Sequence, residues 1–224
     1  DSSFIFPSIG RDGNLTGNTY PENVWSLTFD DGPSSKRTKA IVDHLYFFNM
    51  EASFFMLTRQ ARKFPELLDY VLDHNHELAL HSYNHKDLNK VGSQAMDYEI
   101  TVAKKDLEIL GKKSVRLFRL PYGSGLRNEK LRTKIAENNL VHVFWNVDSL
   151  DWKDKDPESI YKRIIRQMER TPKKSGIILF HDIHAQTVIA SQMIMQYLQE
   201  NQKTVCTVGD VVDYFNLKEQ DCLK

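Results

Sequence analysis

Cysteine is scarce in this chain: only Cys206 and Cys222 occur, both near the C-terminus. One disulfide is therefore the most that cross-linking can contribute, at about 3 kcal/mol for a loop of that size. The alternative is two free thiols, and the spacing alone leaves both open. Net charge is absent as well. Thirty Lys and Arg are matched by thirty Asp and Glu, so nothing predicts a nucleic-acid partner, which calls for a basic excess or stripe. A neutral or mixed partner fits better. No apolar run approaches the roughly 20 residues of a membrane span. The chain begins at Asp1 without a basic, apolar and small-residue leader, as a processed or trimmed protein would, which leaves open whether a signal peptide was removed. Internal repeats, low-complexity tracts and linkers are lacking too.

What remains is ordinary globular material. The 224 residues are 41% hydrophobic and 11% aromatic, which suits one sizeable domain with a real core. Residues 1–23, with Gly10, Gly13, Gly17 and two prolines, read as an irregular entry segment, and 24–224 as a single domain. Strands are predicted at Val24–Phe29, Ala52–Leu57, Glu77–Leu80, Val115–Leu120, Val141–Val147, Gly176–Phe180 and Thr204–Cys206. Helical periodicity runs between them over 36–48, 64–75, 94–110, 128–138, 156–168, 189–200 and 208–215. Gly111 is placed to stop the third of these helices, and Asp156-Pro157-Glu158 to start the fifth. About seven alternations of strand and helix imply an α/β fold with a parallel sheet, either open or closed into a barrel.

In a β/α barrel, chemistry sits where strands end. Asp30 and Asp31 end the first strand, followed by the bend-forming Gly32-Pro33. His81-Ser82-Tyr83-Asn84-His85 follows the third and Arg119-Leu120-Pro121-Tyr122-Gly123 the fourth. Asp148-Ser149-Leu150-Asp151-Trp152 ends the fifth and His181-Asp182 the sixth. Five strand ends thus carry groups that are costly to bury unpaired, all on one rim.

Two adjacent carboxylates repel, so Asp30-Asp31 calls for a cation, a shared proton or solvent. The four-residue spacing of His81 and His85 lets two imidazoles meet. With one carboxylate they make an Asp-His-His set suited to a divalent transition metal with open positions. Non-haem iron oxygenases use a similar set, but on antiparallel sheets, against which the βα alternation argues. His44, His74, His76, His142 and His184 read as ordinary surface or core residues. Asp182 and His184 read as exposed neighbours of His181.

Taken in order, TFDDGP (28–33), HSYNH (81–85), RLPYG (119–123), DSLDW (148–152) and LFH (179–181) resemble the five motifs of the polysaccharide deacetylases. This is carbohydrate esterase family 4, the NodB-homology domain, and the match covers roughly residues 24–215. The resemblance implies a distorted, incomplete (β/α) barrel with its active site at the C-terminal ends of the strands. It implies that Asp31, His81 and His85 hold a divalent metal, usually Zn2+ and sometimes Co2+. Asp30 would be the general base and His181 the general acid. Arg119 would tune the base, Asp151 would tune the acid, and the Tyr122 backbone N–H would stabilise the oxyanion. Trp152 and Leu179 would wall a pocket for the acetyl methyl.

The implied activity is removal of N-acetyl groups from N-acetylglucosamine residues of an acetylated polysaccharide, peptidoglycan or chitin. The alternative within the family is an O-acetyl esterase on xylan or another glycan. A glycan-binding pseudoenzyme would have lost a ligand, base or acid, and all are present. Such substrates imply a secreted or periplasmic protein, expected as a monomer. Two positions depart from the common pattern, Leu120 in RLPYG and Leu80 before His81. Neither is a ligand, but both bear on the shape of the groove.

Overall fold

A computed structural model describes residues 14–217 and 221–223. Its centre is the strand predicted from the first apolar run. Counting from a short strand β1 (Asn14–Leu15), this is β2 (Val24–Asp30), buried at all seven positions. A parallel strand covered on both faces needs such continuous burial. Its alternate residues serve two cores. Trp25, Leu27 and Phe29 face the larger cluster between sheet and helices. Val24 faces a smaller cluster inside the barrel with Phe55, Ala79, Leu117, Val143 and Ile177.

The chain continues through α1 (Thr38–Phe47), β3 (Ser53–Met56), α2 (Thr58–Lys63), α3 (Pro65–Asp73) and β4 (Glu77–Leu80). Next come α4 (Ser93–Asp97) and α5 (Ala103–Gly111), joined by the π-helical turn Tyr98–Val102, then β5 (Leu117–Phe118) and α6 (Glu129–Glu137). Two short strands follow, β6 (Val141–Val143) and β7 (Val147–Asp148), then α7 (Pro157–Arg170), β8 (Gly176–His181), α8 (Ala185–Glu200), β9 (Thr204–Val205) and α9 (Val208–Leu217). The strand order is β1-β6-β5-β4-β3-β2-β8-β7, with β9 joined to the start of β2. Each pairing is parallel. The sheet curls into an incomplete (β/α) barrel. Among the described residues no helix is long and apolar enough to cross a membrane.

The helices form for legible reasons. In α7, the Asp156 side chain accepts a hydrogen bond from Glu158 N (3.0 Å), Pro157 opens the first turn, and Ile160, Ile164 and Met168 are buried along one face. Burial of each such side chain contributes about 1.5–3 kcal/mol. Asn128 caps α6 by accepting from Lys130 N and Leu131 N.

Four features differ from the sequence reading. The predicted strand 141–147 is two strands, one next to the β1 edge and one forming the opposite edge of the sheet. Residues 144–146 cross between the edges, with Phe144 N bonded to Leu15 O (2.9 Å) and Asn146 N to Ile177 O (3.3 Å). A β-rich run reports propensity but not a change of neighbours. Asn14–Leu15, inside the segment read as irregular, pairs with β6. The six residues of α2 carry no apolar periodicity and are legible only from their contacts. Finally, the left-handed cap after α5 is Lys112 (φ 51°). Gly111 is instead required small by packing, since a Cβ there would lie 2.6 Å from the Leu78 side chain.

Cys206 and Cys222 form a disulfide. Cys206 belongs to the barrel-interior cluster, which Val208, Val211 and Val212 of α9 also join.

Candidate active site

The inner face of β2 carries Val24, Ser26, Thr28 and Asp30 in turn. Ser26 Oγ is bonded to Tyr20 OH (2.8 Å) and donates to Cys206 O (2.8 Å), whereas Thr28 Oγ1 donates to Ile178 O (2.7 Å). The interior thus grades from an apolar plug through hydroxyls to a carboxylate at the strand's end. Above the Phe55 ring, 4.1 Å from its centroid, lies the fully buried guanidinium of Arg119. It donates to Asp30 Oδ1 (2.7 Å), Thr28 Oγ1 (2.9 Å), Val143 O (3.1 Å) and Phe144 O (2.9 Å). A forked donor set of this kind is available to Arg and not to Lys.

The next residue turns away. Asp31 has φ 80°, so the bend lies at the aspartate itself as well as in the Gly32-Pro33 turn. This left-handed conformation throws its carboxylate toward His81 and His85 instead of to the opposite face of the strand. Asp31 Oδ1 is 3.2 Å from His81 Nε2 and 3.2 Å from His85 Nε2. His81 Nδ1 lies 2.8 Å from Arg119 O; donating to that carbonyl places the ring proton on Nδ1 and frees the Nε2 lone pair. Asp30 Oδ2 lies 3.7 Å from the same Nε2.

Asp31, His81 and His85 offer ligand atoms all within 4.8 Å of one another. Asp31 Oδ1 is buried with no hydrogen-bond partner among the described residues, an orphaned acceptor facing two ring nitrogens. Burial alone would raise the Asp31 carboxyl, but the His81 and His85 rings beside it outweigh that and hold it well below the usual range. The donor set, two imidazole nitrogens and one carboxylate oxygen, fits a divalent transition metal.

A second pair sits on the adjoining strand. His181 is the register partner of Asp30 across β2 and β8. Its Nδ1 is 2.7 Å from Oδ1 of the fully buried Asp151, whose Oδ2 accepts from His181 N (2.7 Å) and Thr187 Oγ1 (2.6 Å). Burial works against the imidazolium, yet Asp151 outweighs it and His181 is raised to about 9. Asp151 is correspondingly lowered, its burial offset by His181.

The remaining sequence candidates ring this centre. Tyr122 follows Pro121 with φ 61°, and its exposed ring packs edge-on to His85 at 4.6 Å. Leu179 is buried on the inner face two residues before His181 and is not part of either apolar cluster among the described residues. Trp152 is 58% exposed, so it is a rim residue. Asp31, Ser82, His85, Tyr122 and Leu150, in the loops at these strand ends, all have left-handed φ. Such strain concentrates at functional sites.

Asp182 corrects the reading from sequence. It is fully buried, because the residue after His181 turns beneath the start of α1, where Thr38 Oγ1 donates to its Oδ2 (2.6 Å). Burial pushes its carboxyl up to about 7. Gly32 makes room for it, since a Cβ at that position would meet Asp182 Oδ2 at 2.2 Å. Thr187 also escaped notice because the periodicity placed the start of α8 four residues late. Glu99, buried against the 81–85 loop, lies beside an apolar stripe that the sequence did show.

Comparison with known proteins agrees with this geometry. The polysaccharide deacetylase family profile matches residues 17–143. A peptidoglycan-N-acetylglucosamine deacetylase of Bacillus cereus is 34% identical over 141 residues, 62% of this chain; the match takes in only 50% of that relative. A second protein of that name from Bacillus cereus is 30% identical over 197 residues, covering 86% of this chain and 90% of the relative. Among solved structures, the Bc1960 peptidoglycan N-acetylglucosamine deacetylase superposes with a TM-score of 0.79 at 28% identity. That superposition covers 88% of this chain and 91% of that one. On these matches the chain belongs to the polysaccharide deacetylase family, carbohydrate esterase family 4.

Proposed function

We propose that this chain is a divalent-metal-dependent hydrolase that removes N-acetyl groups from N-acetylglucosamine residues of a polysaccharide, of peptidoglycan or chitin type. One observation carries the reading: an Asp-His-His cluster lies beside a carboxylate paired to Arg119, and the register partner of that carboxylate is an imidazole paired to Asp151. Relatives named peptidoglycan-N-acetylglucosamine deacetylase and chitooligosaccharide deacetylase support the substrate class.

Asp31, His81 and His85 would hold the cation, zinc or cobalt. Bound there, it supplies a Lewis acid that polarises the acetyl carbonyl and makes water a nucleophile near neutral pH. Asp30, aimed by its hydrogen bond from Arg119, accepts a proton from the attacking water. The Tyr122 N–H donates to the acetyl oxygen as negative charge develops on it. His181 gives its proton to the departing nitrogen, since an amide anion is a very poor leaving group, and Asp151 holds that proton in reserve. Help of this kind is typically about 10²–10⁴-fold. Leu179 and Trp152 enclose the acetyl methyl. Water and amide are thereby converted to acetate and a free amine. Action on such polymers places the protein outside the cytoplasm, a reading that the Cys206–Cys222 disulfide supports.

The test is mass analysis of chitooligosaccharides, peptidoglycan fragments and acetylated xylan after incubation, with and without a chelator. Acetyl loss from the glucosamine polymers that the chelator abolishes is the expected result. Loss from xylan alone would replace the reading with an O-esterase. No loss from any of the three, with metal supplied, would sink both. Asp30→Asn should abolish turnover while metal still binds, and retention of most activity would refute the base assignment.

A further inference from the structure

The loop between His81 and His85 cannot hold its ligand geometry through its own bonds alone. Ser82 has φ 72° and His85 φ 63°, left-handed values that a free chain seldom adopts at such residues. Within the loop, His85 N donates to Ser82 Oγ (3.0 Å). Its backbone is held further by two outside elements. On one side, Thr58 N and Arg59 N at the start of α2 donate to Ser82 O (3.1 Å) and Tyr83 O (3.3 Å). On the other, the fully buried Glu99 accepts from Tyr83 N (2.9 Å) and Asn84 N (2.7 Å) through Oε2, and from Asn84 Nδ2 (3.0 Å) through Oε1.

The two supports are tied to each other. Thr58 Oγ1 donates to Ala103 O (2.9 Å), at the junction between α5 and the π-helical turn that carries Glu99. π-Turns inside helices are frequent at functional sites. The demand on residue 99 is chemical as well as steric. Three N–H donors converge on it, so the position needs a group that only accepts. A glutamine could offer its oxygen to the two backbone N–H groups only by turning its N–H₂ toward the Asn84 amide.

We propose that Glu99 is a positioning residue for the metal ligands: it fixes the backbone between His81 and His85, and so sets cation affinity without touching the cation. The inference rests on the proposed metal function and assigns a new determinant to that site.

The test measures zinc affinity by equilibrium dialysis for metal-free wild type, Glu99→Gln and Asn84→Ala, with thermal unfolding of each metal-free protein alongside. Loss of support around metal ligands typically weakens binding about 10- to 100-fold, and that is expected for Glu99→Gln, with cooperative unfolding kept. Asn84→Ala removes one of the bonds from outside the core and should weaken binding by about 2- to 10-fold. A merely structural role would lower the unfolding temperature and leave zinc affinity unmoved. Wild-type binding matched within twofold by Glu99→Gln would overturn the positioning role and leave the functional reading standing. Should Glu99→Gln fail to fold, unchanged affinity in Asn84→Ala would overturn it equally. A wild type that holds neither zinc nor, in the same dialysis, cobalt would instead overturn the functional reading, and this inference with it.

Discussion

Arg119 meets Asp30 through a 2.7 Å hydrogen bond inside the barrel, and the same guanidinium holds the carbonyls of Val143 and Phe144 where the chain crosses between sheet edges. One side chain therefore holds both the proposed base and the crossing segment. Its ring contacts with Phe55 and Trp145 shield the pair from water, which strengthens the attraction and raises the cost of losing either partner.

Arg119→Met should accordingly destabilise the protein by about 3–5 kcal/mol, the usual penalty for stranding one member of a buried ion pair. Arg119→Lys should fall between, because a point charge cannot reach two carbonyls, a hydroxyl and a carboxylate at once. Urea denaturation measures both, and wild-type stability in Arg119→Met would contradict the double role.

The His181–Asp151 pair predicts a pH dependence. His181 is raised to about 9 by Asp151 against its burial, whereas an unfolded imidazole titrates near ~6.5. The folded protein therefore binds this proton more tightly. The stabilisation is complete below about pH 6.5 and is lost as pH rises through about 9. Metal-free protein should lose stability across that window, and Asp151→Asn should flatten the loss. NMR titration of the imidazole checks the cause: His181 titrating unchanged in Asp151→Asn would refute it.

Gly32→Ala should cost about 1–3 kcal/mol, typical of overpacking, because the new methyl would enter the space of the Asp182 carboxylate. Combined with Asp182→Ser, which opens that space, the substitution should cost less than the sum of the single effects. A double-mutant cycle from thermal unfolding decides, and strict additivity would show that the two positions do not crowd each other.

Opening the Cys206–Cys222 disulfide should lower stability by about 3 kcal/mol and leave the proposed deacetylation unaffected. Cys206 follows β9, which pairs with the first residues of β2, whereas the proposed site is at that strand's other end. Cys206→Ala/Cys222→Ala can be compared with wild type by chemical denaturation and by turnover. Lost turnover at full folding would place the disulfide closer to the chemistry than this geometry does.

The alternation of strands and helices was enough to place Asp30, His81, Arg119, Asp148 and His181 on one rim. Parallel strands joined by right-handed crossovers put all their C-terminal ends on the same side, so residue order alone carries that information. Periodicity also showed the apolar faces, as in α7. It failed where contacts override propensity. The run 141–147 has uniform β character, yet it breaks at Phe144 because its two halves pair with strands at opposite ends of the sheet. Asp182 looked like a polar residue in an exposed turn, and only the fold brings Thr38 and Gly32 against it.

By itself, then, the sequence determined the α/β alternation, the family and the set of residues able to bind a cation or move a proton. Only tertiary structure decided how they are aimed. The left-handed turn at Asp31, the grip of Glu99 on the 81–85 loop and the seating of Arg119 against Asp30 and the 143–144 carbonyls all depend on partners outside their own elements. A local pattern records which face of an element is buried; what lies opposite that face is settled by packing.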